Sequence, residues 1–126
     1  MKMPALTIDI NKVEHNTRTM VEMCSKQGIN VAAVTKCYCG ISEIAEASVR
    51  GGAYMLADSR LENLARLKHL KVPKLLLRLP MLSELDDVIE YADISFNSEY
   101  KTMKALSLKA LEKNKRHKVI FMVDLG

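Results

Sequence analysis

Aromatic residues are scarce: two Phe, four Tyr and no Trp, 5% of 126 residues. A nucleic-acid surface without stacking residues would rest on charge alone. The net charge of +4 comes from scattered lysines and one cluster, Lys113, Lys115, Arg116 and Lys118. That cluster equally fits a solvated helix C-terminus, where the helix dipole favours cations, so no nucleic-acid partner is expected. Three cysteines form no disulfide-like framework and fit a reducing compartment. No apolar run is long enough to cross a membrane. The opening MKMPALTIDIN has neither a long apolar stretch nor a small-residue cleavage site, so no secretory signal is read. The expectation is a cytoplasmic protein with no membrane partner.

What the chain does have is ordinary globular composition, 48% hydrophobic and 27% charged residues, in a length that suits one domain. No linker or low-complexity segment interrupts it. Strands are expected over residues 7–10, 31–35, 54–57, 74–79, 94–97 and 119–125. Several are almost continuously apolar (VAAVT, LLLRL, VIFMV), as strands covered on both faces are. Helices lie between them. Asn11-x-x-Glu14, Ser59-x-x-Glu62 and Ser83-x-x-Asp86 have the spacing of helix-start boxes. Val13, Met20 and Cys24 form the apolar stripe of the first helix, with Gly28 at its end and Gly51-Gly52 closing the second.

From Val31 onward the order β-α-β-α-β-α-β-α-β calls for a parallel sheet with right-handed crossovers. A flavodoxin-like doubly wound sheet and a (β/α)8 barrel of about 250 residues both accept that order. The sequence stops on a strand at Val123-Asp124-Leu125-Gly126 with no covering helix, which favours a barrel truncated to about its first five βα units.

In Val31-Ala32-Ala33-Val34-Thr35-Lys36 an apolar strand ends in a lysine. Ligands gather at the carboxyl ends of parallel strands. A lysine in a partly dry pocket there loses its proton more easily and can attack a carbonyl. The alternative is a lysine that leaves the sheet and extends to water; spacing alone leaves both open. Other strand ends supply Asp58-Ser59-Arg60, Arg78, Asn97-Ser98 and Asp124. Ser59 and Ser98 read as helix caps. Arg78, inside an apolar strand, needs an anionic partner if buried. Cys37-x-Cys39 is too closely spaced for a usual zinc pair and has no histidine nearby. His15, His69 and His117 are expected exposed, and the eight methionines at core-facing spacings, so no metal is expected.

Leu6-Thr7-Ile8-Asp9-Ile10-Asn11-Lys12, Val34-Thr35-Lys36, Ala57-Asp58-Ser59-Arg60 with Asn63-Leu64, Leu76-Leu77-Arg78 with Pro80, Ala92-Asp93-Ile94-Ser95 with Asn97-Ser98-Glu99, and Met122-Val123-Asp124-Leu125-Gly126 occur in that order. This ordered set resembles the amino-terminal part of the alanine-racemase-like, fold-type III pyridoxal-phosphate enzymes, nearest to their ornithine racemase branch. The resemblance covers essentially the whole chain. It implies a TIM-type barrel with a carboxy-terminal β domain in a homodimer, residues 7–10 preceding the barrel, and pyridoxal 5'-phosphate held by Lys36. It also implies that Lys36 moves the Cα proton of an amino acid on one face. Arg78 and Asn97 are the candidate cofactor contacts, and Arg60 and Asp124 the candidate substrate or rim residues. Where the alanine racemase pattern has a tyrosine four residues after its lysine, this chain has Gly40, and Tyr38 is out of register. The phosphate site and the opposing base belong to later regions in that family. The implied function is amino-acid racemisation, ornithine favoured, with this chain inactive alone. Competing expectations are a D-amino-acid aldolase or dehydratase, a non-catalytic cofactor-homeostasis module, and a flavodoxin-like regulatory domain.

Overall fold

A computed structural model describes residues 4–126. The first helix, α1 (Ile10–Ser25), starts where Asp9 Oδ1 accepts the Lys12 N–H at 3.1 Å, satisfying one of the helix's orphan donors. That cap overrides the alternating pattern of residues 7–10, which form no strand, and it displaces Asn11 into the first turn. At the far end Ile29 N–H returns to Cys24 O and Gly28 N–H to Ser25 O, with Gly28 at φ +69, the left-handed closure that a glycine allows. The half-buried stripe is Val13, Thr17, Val21 and Cys24; Met20 is 53% exposed. The stripe packs on α2 (Ser42–Arg50), and Gly51 at its end lets Thr17 approach so closely that a methyl there would sit 2.7 Å from Thr17 Cβ.

Five strands follow one another: β1 (Ala32–Val34), β2 (Met55–Asp58), β3 (Lys74–Leu76), β4 (Ile94–Asn97) and β5 (Lys118–Phe121). Every pair is parallel and the spatial order is the sequence order. A doubly wound sheet must reverse its strand order at a switch point. This one never reverses, so the flavodoxin-like expectation is excluded and the sheet is an arc of a (β/α) barrel. β4 has the expected bounds and β2 the expected length, shifted by one residue, whereas β1, β3 and β5 are shorter than expected. Beyond Leu76 only Leu77 N–H still reaches Asp58 O, because Arg78 turns aside to an ion pair described below.

Helices α3 (Leu61–Arg66), α4 (Leu85–Tyr91) and α5 (Tyr100–Glu112) cover the outer face with α2. Leu61, Leu64, Leu76, Leu85, Val88, Ile89 and Leu106 make one buried cluster; Ala45, Leu56 and Leu67 make a second. The α4–α5 layer is also pinned by charge. Lys115 Nζ lies 2.5 Å from Glu90, and Lys113 contacts the Asp86 carbonyl at 3.1 Å, so half of the basic cluster serves as a strap between helices. β5 is exposed along its whole length, while Ala57 of β2 and Leu75 of β3 are buried. Among the described residues no helix is long and apolar enough to cross a membrane.

Candidate active site

The carboxyl ends of β1 and β2 and the start of α3 are joined by one buried carboxylate. Thr35, the residue after β1, is fully buried, and its backbone N–H continues the ladder to Ala57 O at 2.9 Å. Its hydroxyl donates to Asp58 Oδ2 at 2.5 Å. Asn63 Nδ2 donates to the same oxygen at 3.0 Å, and Arg60 N–H donates to Oδ1 at 2.8 Å. Asp58 is itself fully buried, so these donors replace the water that a carboxylate would otherwise demand.

From Thr35 the chain makes a short 3-10 turn, Lys36–Tyr38, then passes through Cys39 at φ 53 and Gly40 at φ 63. Gly40 N–H closes the turn on Thr35 O at 3.1 Å. A methyl at Gly40 would lie 3.0 Å from Asn63 Cβ and 3.2 Å from Asn63 backbone atoms, so the turn is seated directly on α3. Lys36 opens this turn and is exposed. Val34, two residues earlier in β1, is 40% exposed. Tyr38 turns the other way, into the cluster of Ala45, Leu56 and Leu67, where burial pushes its hydroxyl pKa up.

Beside the turn lies a groove of about 760 Å³ lined by Cys39, Ser59, Arg60, Arg66, Arg78 and Glu84, among others. Arg60 reaches it exposed. Arg78 is committed elsewhere: Nε donates to Ser59 O at 2.7 Å and the guanidinium forks onto Glu84, with Nη2 to Oε2 at 2.9 Å. The ion pair raises the Arg78 pKa and lowers that of Glu84. Asn97 lies in a separate hollow of about 230 Å³ with Leu79, Pro80, Ser98, Glu99 and Thr102. It is 1% exposed; Nδ2 donates to Ser95 O and Ser95 Oγ, and Oδ1 has no partner. Asp124 follows β5, exposed, with Oδ1 accepting Gly126 N–H at 2.9 Å. The structure thus brings Arg60 and Arg78 into one groove next to the Lys36 turn and leaves Asn97 and Asp124 apart from it.

Residues 8–126 match the family model of the alanine racemase N-terminal domain. The chain belongs to that family. It is 48% identical over 123 residues to the ornithine racemase of Acetoanaerobium sticklandii, an alignment covering 98% of this chain and 35% of that protein. Identity to the lysine racemase of Thermotoga maritima is 35% over 128 residues, 100% of this chain and 36% of the other. The chain therefore spans about a third of the length of these relatives. The solved alanine racemase of E. faecalis superposes with a TM-score of 0.79 at 23% identity over 94% of this chain and 33% of that one, a likeness of fold.

Several details of this racemase-family domain depart from sequence expectation. Neither Ser59 nor Ser98 caps a helix: α3 and α5 start after Arg60 and Glu99, and the Asp58 carboxylate accepts the Arg60 N–H just before α3. Ahead of α4 a 3-10 turn intervenes, and Glu84 accepts the Met81 N–H at 2.9 Å in place of a Ser83 cap. His117 is half-buried. Its Nε2 meets Ser95 Oγ at 2.8 Å and its Nδ1 meets Ala92 O at 3.1 Å, and desolvation lowers its pKa. Met20, Met23, Met81 and Met122 are half exposed or more. The Thr35–Asp58–Asn63 network went unread as a unit. Its only sequence signal is an acid at the end of an apolar strand with an amide five residues on.

Proposed function

We propose that this chain carries the cofactor lysine of a pyridoxal-phosphate-dependent amino-acid racemase acting on ornithine. The observation that carries the reading is the exposed Lys36 amine on a turn locked at both ends, at the carboxyl edge of the first strand of a barrel arc. Identity to ornithine and lysine racemases over the whole chain supports the reaction and favours a diamino acid as substrate. The residues present fit the cofactor. The groove volume falls within the usual range for a bound small molecule, about 300–1,000 Å³. Arg60 offers it an exposed guanidinium, and Arg78 lines it with a guanidinium held in place by Glu84.

Lys36 would hold the cofactor covalently, with Arg78 the candidate contact that shares the adjacent groove and Asn97 set apart in its own hollow. Arg60 would meet the substrate carboxylate, and Asp124 the side-chain ammonium. When bound, pyridoxal phosphate supplies an electron sink for the charge left as the Cα proton departs. Lys36, once its amine is free and neutral, takes that proton on one face. Arg78 keeps the groove wall rigid, since its fork is already satisfied by Glu84. Inversion needs a second acid/base group on the other face. Tyr38 does not supply it, because its ring is packed in the outer cluster. Complete racemisation is the activity proposed for the whole protein, a homodimer in this reading.

The test is Cα hydrogen–deuterium exchange of L- and D-ornithine with cofactor in heavy water. Exchange that favours one enantiomer and disappears in Lys36→Ala, without net inversion by this chain, is the expected result. Equal exchange in Lys36→Ala would remove Lys36 from the chemistry.

A further inference from the structure

We infer that Asp58 is the positioning residue of the Lys36 turn, acting through Thr35 and Asn63; its effect on the chemistry rests on the reading of Lys36 given above. Two other elements of the rim, through three donors, meet on this one β2 side chain. Thr35 comes from the end of β1, Arg60 N–H from the start of α3, and Asn63 from the first turn of α3. A simple capping role accounts for the Arg60 contact alone. It leaves unexplained why Oδ2 collects two further side-chain donors from different elements at 2.5 and 3.0 Å.

The chemistry of the group fits the task. A carboxylate is acceptor-only and can take several donors at once, whereas an amide in the same place would turn an N–H toward one of them. Burial with no water to compensate makes each of these bonds costly to lose. The far end of the turn is fixed by the same helix, because Gly40 rests on Asn63, the residue that also donates to Asp58. Thr35 and Gly40 are joined by the 3.1 Å bond between Gly40 N–H and Thr35 O. Asp58 and Asn63 therefore grip both ends of the segment that presents Lys36, which leaves the lysine its side-chain torsions and little backbone freedom.

The experiment compares the wild-type chain with Thr35→Val, Asp58→Asn and the exchanged pair Asp58→Asn/Asn63→Asp. Thr35→Val keeps the shape and removes the hydroxyl. Asp58→Asn sets an amide donor against the Asn63 donor, and the exchanged pair restores a donor opposite an acceptor. Two quantities are read: amide hydrogen exchange of residues 36–40 without cofactor, and the rate at which Lys36 captures pyridoxal phosphate, trapped with borohydride. Both single variants should speed exchange in the turn while the β3–β4 core amides keep their protection. They should also slow capture about tenfold or more, the scale of effect that a misplaced reacting group brings. The exchanged pair should recover most of both.

Wild-type exchange and capture rates in Thr35→Val and Asp58→Asn would overturn the inference, as would fast exchange in the turn with capture unchanged. Should Asp58→Asn not fold, Thr35→Val decides alone. If the wild-type chain captures nothing at Lys36, the reading of Lys36 fails. The exchange measurement then still establishes or refutes the grip of Asp58 on the turn.

Discussion

Lys36 is an exposed lysine among many, and what distinguishes it is the backbone that carries it. The turn it opens needs Gly40 at φ 63 against the Asn63 backbone. Gly40→Ala would impose a left-handed residue and a steric conflict together. It is expected to cost about 1–2 kcal/mol from the backbone alone, read as a lowered midpoint in denaturant melts. Arg78→Lys loses the fork onto Glu84 and should loosen the groove wall without touching Lys36. Its expected signature is retained cofactor capture with faster amide exchange around residues 78–84. That a strand ends at Lys36 was legible from the apolar run before it, while the role proposed for the lysine came from the family resemblance and not from spacing. The role of Asp58 was not legible, since its donors are assembled by the β1–β2 register and by where α3 begins. His117 was misread for a similar reason: its neighbours Lys115, Arg116 and Lys118 suggest solvent, yet β4 supplies Ser95 and buries the ring.

Among the elements, the parallel strands were legible from apolar runs, and the lengths of β1, β3 and β5 were not. Arg78 ends β3 by seeking Glu84, a partner six residues away that no strand pattern reveals. Residues 7–10 alternate as a strand would, but a strand needs a neighbour, and Asp9 spends them on the start of α1 instead. The helices are held by a leucine core, so Leu76→Ala at its fully buried centre should cost about 2–5 kcal/mol. The charged strap between α4 and α5 has its own signature. Lys115 and Lys68 hold the Glu90 carboxyl at a pKa of about 2, against an ordinary 4.5. A depressed acid contributes stability that is complete above 4.5 and is lost as pH falls toward about 2. The slope of stability with pH in that window should flatten in Glu90→Gln. His117 acts higher on the scale. Its lowered pKa means that the unfolded chain binds the proton first, so its contribution is whole above pH 6.5 and declines below it. His117→Gln should remove that decline without altering the acid window of Glu90.

For the molecule as a whole, the alternation of strands and helices was readable and the closure of the sheet was not. Both a barrel and a doubly wound sheet satisfy the same alternation, and only the spatial order β1-β2-β3-β4-β5 separates them. That order lays the carboxyl ends of the first three strands side by side, so residues as distant as Cys39, Ser59 and Arg78 share one groove. Covalent capture at Lys36 is the property that tests this arrangement. The most direct measurement is an absorbance titration with pyridoxal phosphate, followed by borohydride reduction and peptide mass mapping. The expected result is one reduced adduct, on Lys36, with the accompanying absorbance band lost in Lys36→Ala. Adducts spread over the surface lysines, or a band unchanged in Lys36→Ala, would contradict the claim that Lys36 is the cofactor lysine.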